Sequence, residues 1–202
     1  GGESWAYSGF NSNTRGLFED GLEIGVRTKE SNTNVTKTVA IYGGSFSPPH
    51  VGHAMVASWL LMTELVDEVW FVPVYRHAFE GIHEKRIASF EERSAWCDAL
   101  TDAFDDRVSV CRIESELPTP SYTVDTLRVL SERYPRYRFR LVVGSDVVRQ
   151  RAEWREWDSI EQDFPPIFVA RAGYPSDIPL ASPEFPQVSS SEIRRRIACG
   201  ES

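Results

Sequence analysis

Little in this sequence points to a cell exterior, a membrane or a nucleic acid. Only 3 cysteines occur, Cys97, Cys111 and Cys199, an odd number, far apart and with no C-x-x-C pair. That pattern excludes a disulfide framework and a cysteine-type zinc site, and it fits reduced thiols in a cytoplasmic protein. No apolar run approaches the ~18 residues that a membrane span requires. The longest, Ala54 to Met62, is interrupted by Ser58 and suits a buried helix. No signal-peptide pattern is visible. Positive charge is in deficit: a formal net charge of -8 argues against the broad phosphate-backbone footprint of a nucleic-acid binder. A local basic pocket for a small polyanion remains compatible with an acidic surface.

What is present is enough for one domain and an extension. The chain has 202 residues, 41% of them apolar, so it can bury a proper core. Residues 1–37 are rich in Gly, Ser, Asn and Thr and show no sustained apolar period, which reads as a polar, flexible N-terminal extension. Residues 38–202 alternate between two periods. Strand-like runs cover Thr38–Tyr42, Val69–Val74, Val108–Ile113, Phe139–Val143 and Ile167–Ala170, nearly apolar throughout, as strands buried on both faces are. Helical patterns cover Gly52–Leu65, Phe90–Phe104, Tyr122–Tyr134 and Ser190–Ala198. The alternation predicts an α/β fold, a Rossmann-like, doubly wound parallel sheet with helices on both faces. Ligands in such folds sit beyond the carboxyl ends of the strands, where the strand order reverses.

The first strand ends in such a place. Val39 to His53 reads V-A-I-Y-G-G-S-F-S-P-P-H-V-G-H. Gly43 and Gly44 allow a sharp turn and a close backbone approach to a ligand. Ser45 and Phe46 continue the loop, Pro48 and Pro49 stiffen it, and Gly52 allows close packing as a helix begins. His50 and His53 fall on adjacent turns, so both rings can face one point. Backbone N–H groups, a helix N-terminus and two imidazoles around one volume suit a nucleotide's phosphates. The H-x-x-H spacing also occurs in metal sites, but no third ligand stands nearby in the sequence.

Near the C-terminus, Ser189 and Glu192 have capping-box spacing and predict a helix start. Its first N–H groups, the Ser190 and Ser191 hydroxyls and Arg194 make a second natural anion site. Gly144 and Asp146 in V-V-G-S-D end another strand, where a carboxylate can accept ribose hydroxyls or cap a helix. Trp154 and Trp157, three residues apart, suit a core stripe on a helix. Arg149, Arg151 and Arg171 are cationic candidates for a substrate phosphate, although surface solvation explains each more simply.

The run G-G-S-F-S-P-P-H-V-G-H resembles the H-x-G-H loop of the nucleotidyltransferase superfamily, and most closely the bacterial nicotinate-nucleotide adenylyltransferase pattern G-G-[ST]-F-D-P-x-H-x-G-H. Three further segments agree in order and spacing: S-Y-T-V-D-T-L at Ser121–Leu127, V-V-G-S-D at Val142–Asp146, and V-S-S-S-E-I-R at Val188–Arg194. The resemblance implies adenylyl transfer from ATP to nicotinate mononucleotide, giving deamido-NAD and pyrophosphate, with Mg²⁺ arriving on ATP. It implies that His50, His53 and Arg194 are catalytic. It further implies that Ser190 and Ser191 hold the β- and γ-phosphates and that Gly144 and Asp146 contact the adenosine. Trp154 would stack on the pyridine ring, and the N–H groups of Tyr122 and Thr123 would meet its carboxylate.

The sequence departs from the pattern at two places. Ser47 stands where the family has Asp, which removes a carboxylate beside the phosphates. The family's P-P-H-K segment is missing from Tyr75–Arg93, so the basic phosphate ligand there falls to Lys85 or Arg86. Other readings stay open at this point. One is nicotinamide mononucleotide or a phosphopantetheine-type acceptor as substrate. Another is a catalytically weak nucleotide-binding protein, with Ser47 as a sign of drift.

Overall fold

All five apolar runs pair into one sheet. The computed structural model describes residues 37–75, 87–148, 150–180 and 182–201; the expected extension, apart from Lys37, lies outside them. The strands are β1 (Lys37–Gly44), β2 (Glu68–Pro73), β3 (Val108–Val110), β4 (Tyr137–Gly144) and β5 (Ile167–Val169). They lie in the order β3-β2-β1-β4-β5, every pair parallel. The order reverses between β1 and β4, which places the crevice at Gly44 and Gly144, the last residues of those two strands.

Period-two alternation sends each strand's side chains to opposite layers. Val39, Ile41, Leu141 and Val143 join one buried cluster with Leu127 and Leu130 of α3 (Thr123–Arg133), Val148 of α4 (Ser145–Val148) and Ile160 of α5 (Trp157–Asp163). Ala40, Val69, Phe71 and Val142 join the other with Val56 and Leu60 of α1 (Val51–Met62) and Cys97 of α2 (Phe90–Thr101). The sheet is therefore covered on both sides, as its uninterrupted apolar strands require. α1 and α2 end earlier than their apolar patterns run, α1 just before Glu64, whose φ of 54° leaves the helical region.

Three local expectations are corrected. The third strand stops at Val110 instead of Ile113, because the chain turns into a 3-10 segment, Ile113–Glu116, that buries Ile113 and Glu114. The Glu114 carboxylate then accepts from the hydroxyls of Ser121 and Thr126, tying this turn to the start of α3. Trp154 and Trp157 do not share a helix. Trp154 is extended, Glu156 adopts φ 53° and ψ 44°, and only then does Trp157 open α5. The capping box of α6 (Ser190–Cys199) forms only half: Ser189 Oγ accepts the Glu192 N–H at 3.2 Å. The Glu192 carboxylate is drawn instead to Arg195 and Arg196, one turn along the helix.

Candidate active site

The β1–α1 loop builds the first half of the site. Gly43 and Gly44 divide two tasks. A Cβ on Gly44 would come within 3.1 Å of the Phe46 ring, whereas none of the protein's described atoms lies within 4 Å of where a Cβ on Gly43 would stand. Gly44 is thus glycine for packing, and Gly43 is the bare backbone left open to a ligand. Phe46 itself is 2% exposed, with its ring among Tyr42, His53 and Phe71. Its side chain anchors the loop to the core, which leaves only the backbone of this residue open to a ligand.

His50 is the N-cap of α1 and His53 its third residue. Their rings stack at 3.8 Å between centroids, and the His50 N–H donates to His53 Nδ1 at 3.0 Å. With Nδ1 accepting, a neutral His53 carries its proton on Nε2 and can donate it to a ligand. Burial, and then the positive charge of Arg171, pull the His50 pKa down to about 4. Burial, His50 and Arg171 pull that of His53 down to about 3. Both rings are therefore neutral at pH 7, each with one ring N–H and no positive charge to offer a ligand. His50 Nδ1 is buried without a hydrogen-bond partner among the described residues, an open valence in a site that needs a polar ligand.

The second half comes from α6 and closes directly onto this loop. Ser190 Oγ donates to the Pro48 carbonyl at 2.8 Å, and Arg194 Nη1 donates to the Ser47 carbonyl. Arg194 Nη2 holds Ser191 Oγ at 3.1 Å. The two segments expected to receive anions, distant in sequence, are thus brought together in one place. A Cβ on Gly52 would meet the His50 ring at 3.1 Å and Val188 at 3.8 Å, so glycine there lets the histidine and the start of α6 approach.

The floor of the crevice is Gly144, Ser145 and Asp146. Asp146 pairs with Arg171, the residue two beyond β5. Ser145 Oγ accepts the Arg171 main-chain N–H at 2.9 Å. Solvation, the sequence-level account of Arg171, is replaced by a structural one. Arg171 follows an apolar run just as Gly144 does, and that position at a strand's carboxyl end was the available signal.

Arg93, unlike Arg171, is given no role by the sequence. It is 4% exposed and donates to four carbonyls: Ser45 at 2.9 Å, Val74 at 2.7 Å, Tyr75 at 3.5 Å and Ala88 at 2.9 Å. Ser47, in place of the family's Asp, is also buried, and its Oγ accepts the Ala88 N–H at 3.2 Å. The residue at this position ties the β1–α1 loop to the entry of α2. Arg93→Ala would take the shared donor from several part-buried carbonyls and should lower unfolding free energy by about 2 kcal/mol or more. A urea titration of the variant against the parent protein reads this; a shift of the midpoint too small to resolve would refute it.

The expected pyridine end is placed on separate elements. Tyr122 is the N-cap of α3 and Thr123 its first residue, so their N–H groups lie at an open helix N-terminus. The Arg155 guanidinium covers the Tyr122 ring at 4.9 Å. Trp154 meets Trp157 edge-on at 5.6 Å and lines an open cleft of about 550 Å³ with Arg151, Glu156 and Ser159. Lys85, with Arg86, and Arg149 lie outside the described residues. Among the described residues, no group of three or more His, Cys, Asp or Glu could hold a metal ion. Two neutral imidazoles and an Arg-paired carboxylate do not make a cage for a hard cation.

A parallel sheet whose switch point carries an H-x-G-H loop closed by a Ser- and Arg-bearing helix start defines a nucleotidyltransferase. The family model described as cytidylyltransferase-like matches residues 41–196. "Probable nicotinate-nucleotide adenylyltransferase" of Anaeromyxobacter dehalogenans (strain 2CP-C) is 43% identical over 168 residues, covering 82% of this chain and 86% of its own. A like-named protein of Thermus thermophilus is 36% identical, over 81% of this chain and 88% of its own. A solved Plasmodium falciparum nicotinic acid mononucleotide adenylyltransferase complexed with NaAD superposes with a TM-score of 0.68 at 22% identity, covering 83% of this chain and 87% of that one. The chain belongs to the cytidylyltransferase-like family and, within it, to the nicotinate-nucleotide adenylyltransferases.

Proposed function

We propose that this protein joins ATP to nicotinate mononucleotide, giving deamido-NAD and pyrophosphate. The 5′-phosphate of the mononucleotide attacks the α-phosphorus of ATP in line, and the bond to pyrophosphate breaks. No side-chain nucleophile is required, so the protein contributes position and charge stabilisation. His50 and His53 donate N–H groups to the phosphate at which charge builds. The N-terminus of α6 with Ser190, Ser191 and Arg194 receives the β- and γ-phosphates. Gly43 admits the triphosphate against bare backbone, and Gly144 and Asp146 take the adenosine. Trp154 stacks on the pyridine ring, and the N–H groups of Tyr122 and Thr123 favour its carboxylate over an amide. Mg²⁺ enters as part of the substrate, held by ATP oxygens and water.

One observation supports this assignment most directly. The two anion-binding segments are hydrogen-bonded to each other through Ser190 and Arg194, as a site for one continuous triphosphate demands. The partners are accordingly small molecules and not nucleic acid, in keeping with the net charge of -8. Among the described residues no helix is long and apolar enough to cross a membrane, and Cys97, Cys111 and Cys199 are free thiols. Free thiols support a cytoplasmic setting. The test is pyrophosphate release from Mg·ATP with nicotinate mononucleotide, nicotinamide mononucleotide and phosphopantetheine in parallel. Nicotinate mononucleotide should give a kcat/KM at least ~10-fold above the amide, since a site lined by N–H donors gains from the acceptor's charge. Binding of ATP with no turnover on any acceptor would overturn the catalytic reading.

A further inference from the structure

Arg171 is held more completely than a surface cation needs to be. Its main chain is pinned by Ser145 Oγ and by bridges to Tyr174 and Phe185. Its guanidinium divides between two partners: Nη1 donates to Asp146, and Nη2 donates to the Val188 carbonyl at 3.1 Å. Asp146 stands in α4, two residues beyond the end of β4, while Val188 immediately precedes Ser189, the N-cap of α6. Gly144 makes the arrangement possible: a Cβ there would stand 2.4 Å from Asp146 Oδ1 and 3.4 Å from Arg171 Cδ. The pair folds back over the end of β4 only because that strand finishes in glycine.

We propose that Arg171 is a positioning residue of the ATP site, tying the ribose-side carboxylate Asp146 to the backbone that launches the phosphate-binding turn of α6. Resting on the adenylyl-transfer assignment above, this gives ATP binding a part that no substrate-contacting residue supplies. The nucleoside end and the triphosphate end of the ligand are received by elements from different stretches of chain. A single planar fork sets the distance between them before ATP arrives, so the ordering cost is not taken from the binding free energy. An ordinary ion pair at the end of β5 would need only a charge. Two simultaneous donors in fixed directions need arginine, since an ammonium is a point charge on a flexible stem.

The test compares Arg171→Lys, Arg171→Gln and Asp146→Asn with the parent protein. ATP affinity is read by calorimetry, and both substrates' KM values by pyrophosphate release. Arg171→Lys, which keeps the charge, should weaken ATP ~10-fold or more, the usual worth of one charge-assisted hydrogen bond. The KM for nicotinate mononucleotide should stay within about twofold, because the tie reaches only the ATP half. Arg171→Gln should lose at least as much. Adding Asp146→Asn to Arg171→Lys should cost less than Asp146→Asn alone, since the two act through one tie. Parent-like ATP affinity in Arg171→Lys would overturn the proposal, as would an equal loss for both substrates. A parent protein that binds ATP without turnover would instead overturn the reaction assignment, while the calorimetric comparison would still read the tie.

Discussion

His53→Ala should lower kcat at least ~100-fold while the protein stays folded, as removal of one preorganised donor does in other transfer reactions. The expectation rests on the tautomer that the backbone imposes. His50 N–H donates to His53 Nδ1, so the remaining ring proton sits on Nε2, with no rearrangement needed when the phosphates arrive. Burial, then the neighbouring His50 and the positive charge of Arg171, keep the ring neutral, with its pKa pulled down to about 3 in the ligand-free protein. His53 should therefore show no titration by NMR between about pH 8 and pH 5 without ligand, where an ordinary histidine would titrate near its usual ~6.5. ATP brings negative charge beside the ring and so moves the pKa upward. Steady-state rates and a thermal melt on His53→Ala separate chemistry from folding. Near-parental turnover would remove His53 from the catalytic set, and a ligand-free titration near an ordinary histidine's ~6.5 would remove its pre-set neutral state.

Much of this site was legible because each of its parts occupies a position that the chain's periodicity marks. Gly43 and Gly44 end one apolar run, Gly144 ends another, and Ser189 opens the last helix, so topology alone carries them to one edge of the sheet. The two core layers follow equally directly from alternation in Val39, Ala40 and Ile41. What escaped was the set of interactions between segments. Arg93 sits in an ordinary polar helix pattern, and only the folded chain shows it gathering carbonyls from the β1–α1 loop and from both ends of the β2–α2 connection. Arg171 carries no motif, yet two backbone segments and a carboxylate converge on it. The Trp154–Trp157 spacing misled because Glu156 adopts a left-handed conformation between them, a choice that tertiary packing makes and local periodicity does not reveal. Ser47 gained its meaning in the same way: an apparent loss of charge near the phosphates is, in the fold, a buried hydroxyl bonded to Ala88.

Arg194→Ala should cost on the order of 10³ in kcat/KM for ATP, the low end of what a transition-state arginine contributes to phosphoryl transfer. Two roles converge on this side chain. In the ligand-free protein it spans the site, with Nη1 on the Ser47 carbonyl and Nη2 on Ser191 Oγ, which holds α6 against the His50–His53 loop. In the proposed reaction the same guanidinium would stand at the helix N-terminus where the pyrophosphate departs, meeting a charge that is larger in the transition state than in the ground state. The two roles separate experimentally. Arg194→Lys retains a charge but not the fork, so it should recover only part of the rate. Inhibition by product pyrophosphate reports the leaving-group contact alone, and in Arg194→Ala its Ki should rise by at least ~10-fold, the value of a lost charge-assisted contact. A fall in rate with an unchanged Ki would assign Arg194 to holding α6 in place, and would leave the α6 N–H groups and serine hydroxyls as the receivers of pyrophosphate.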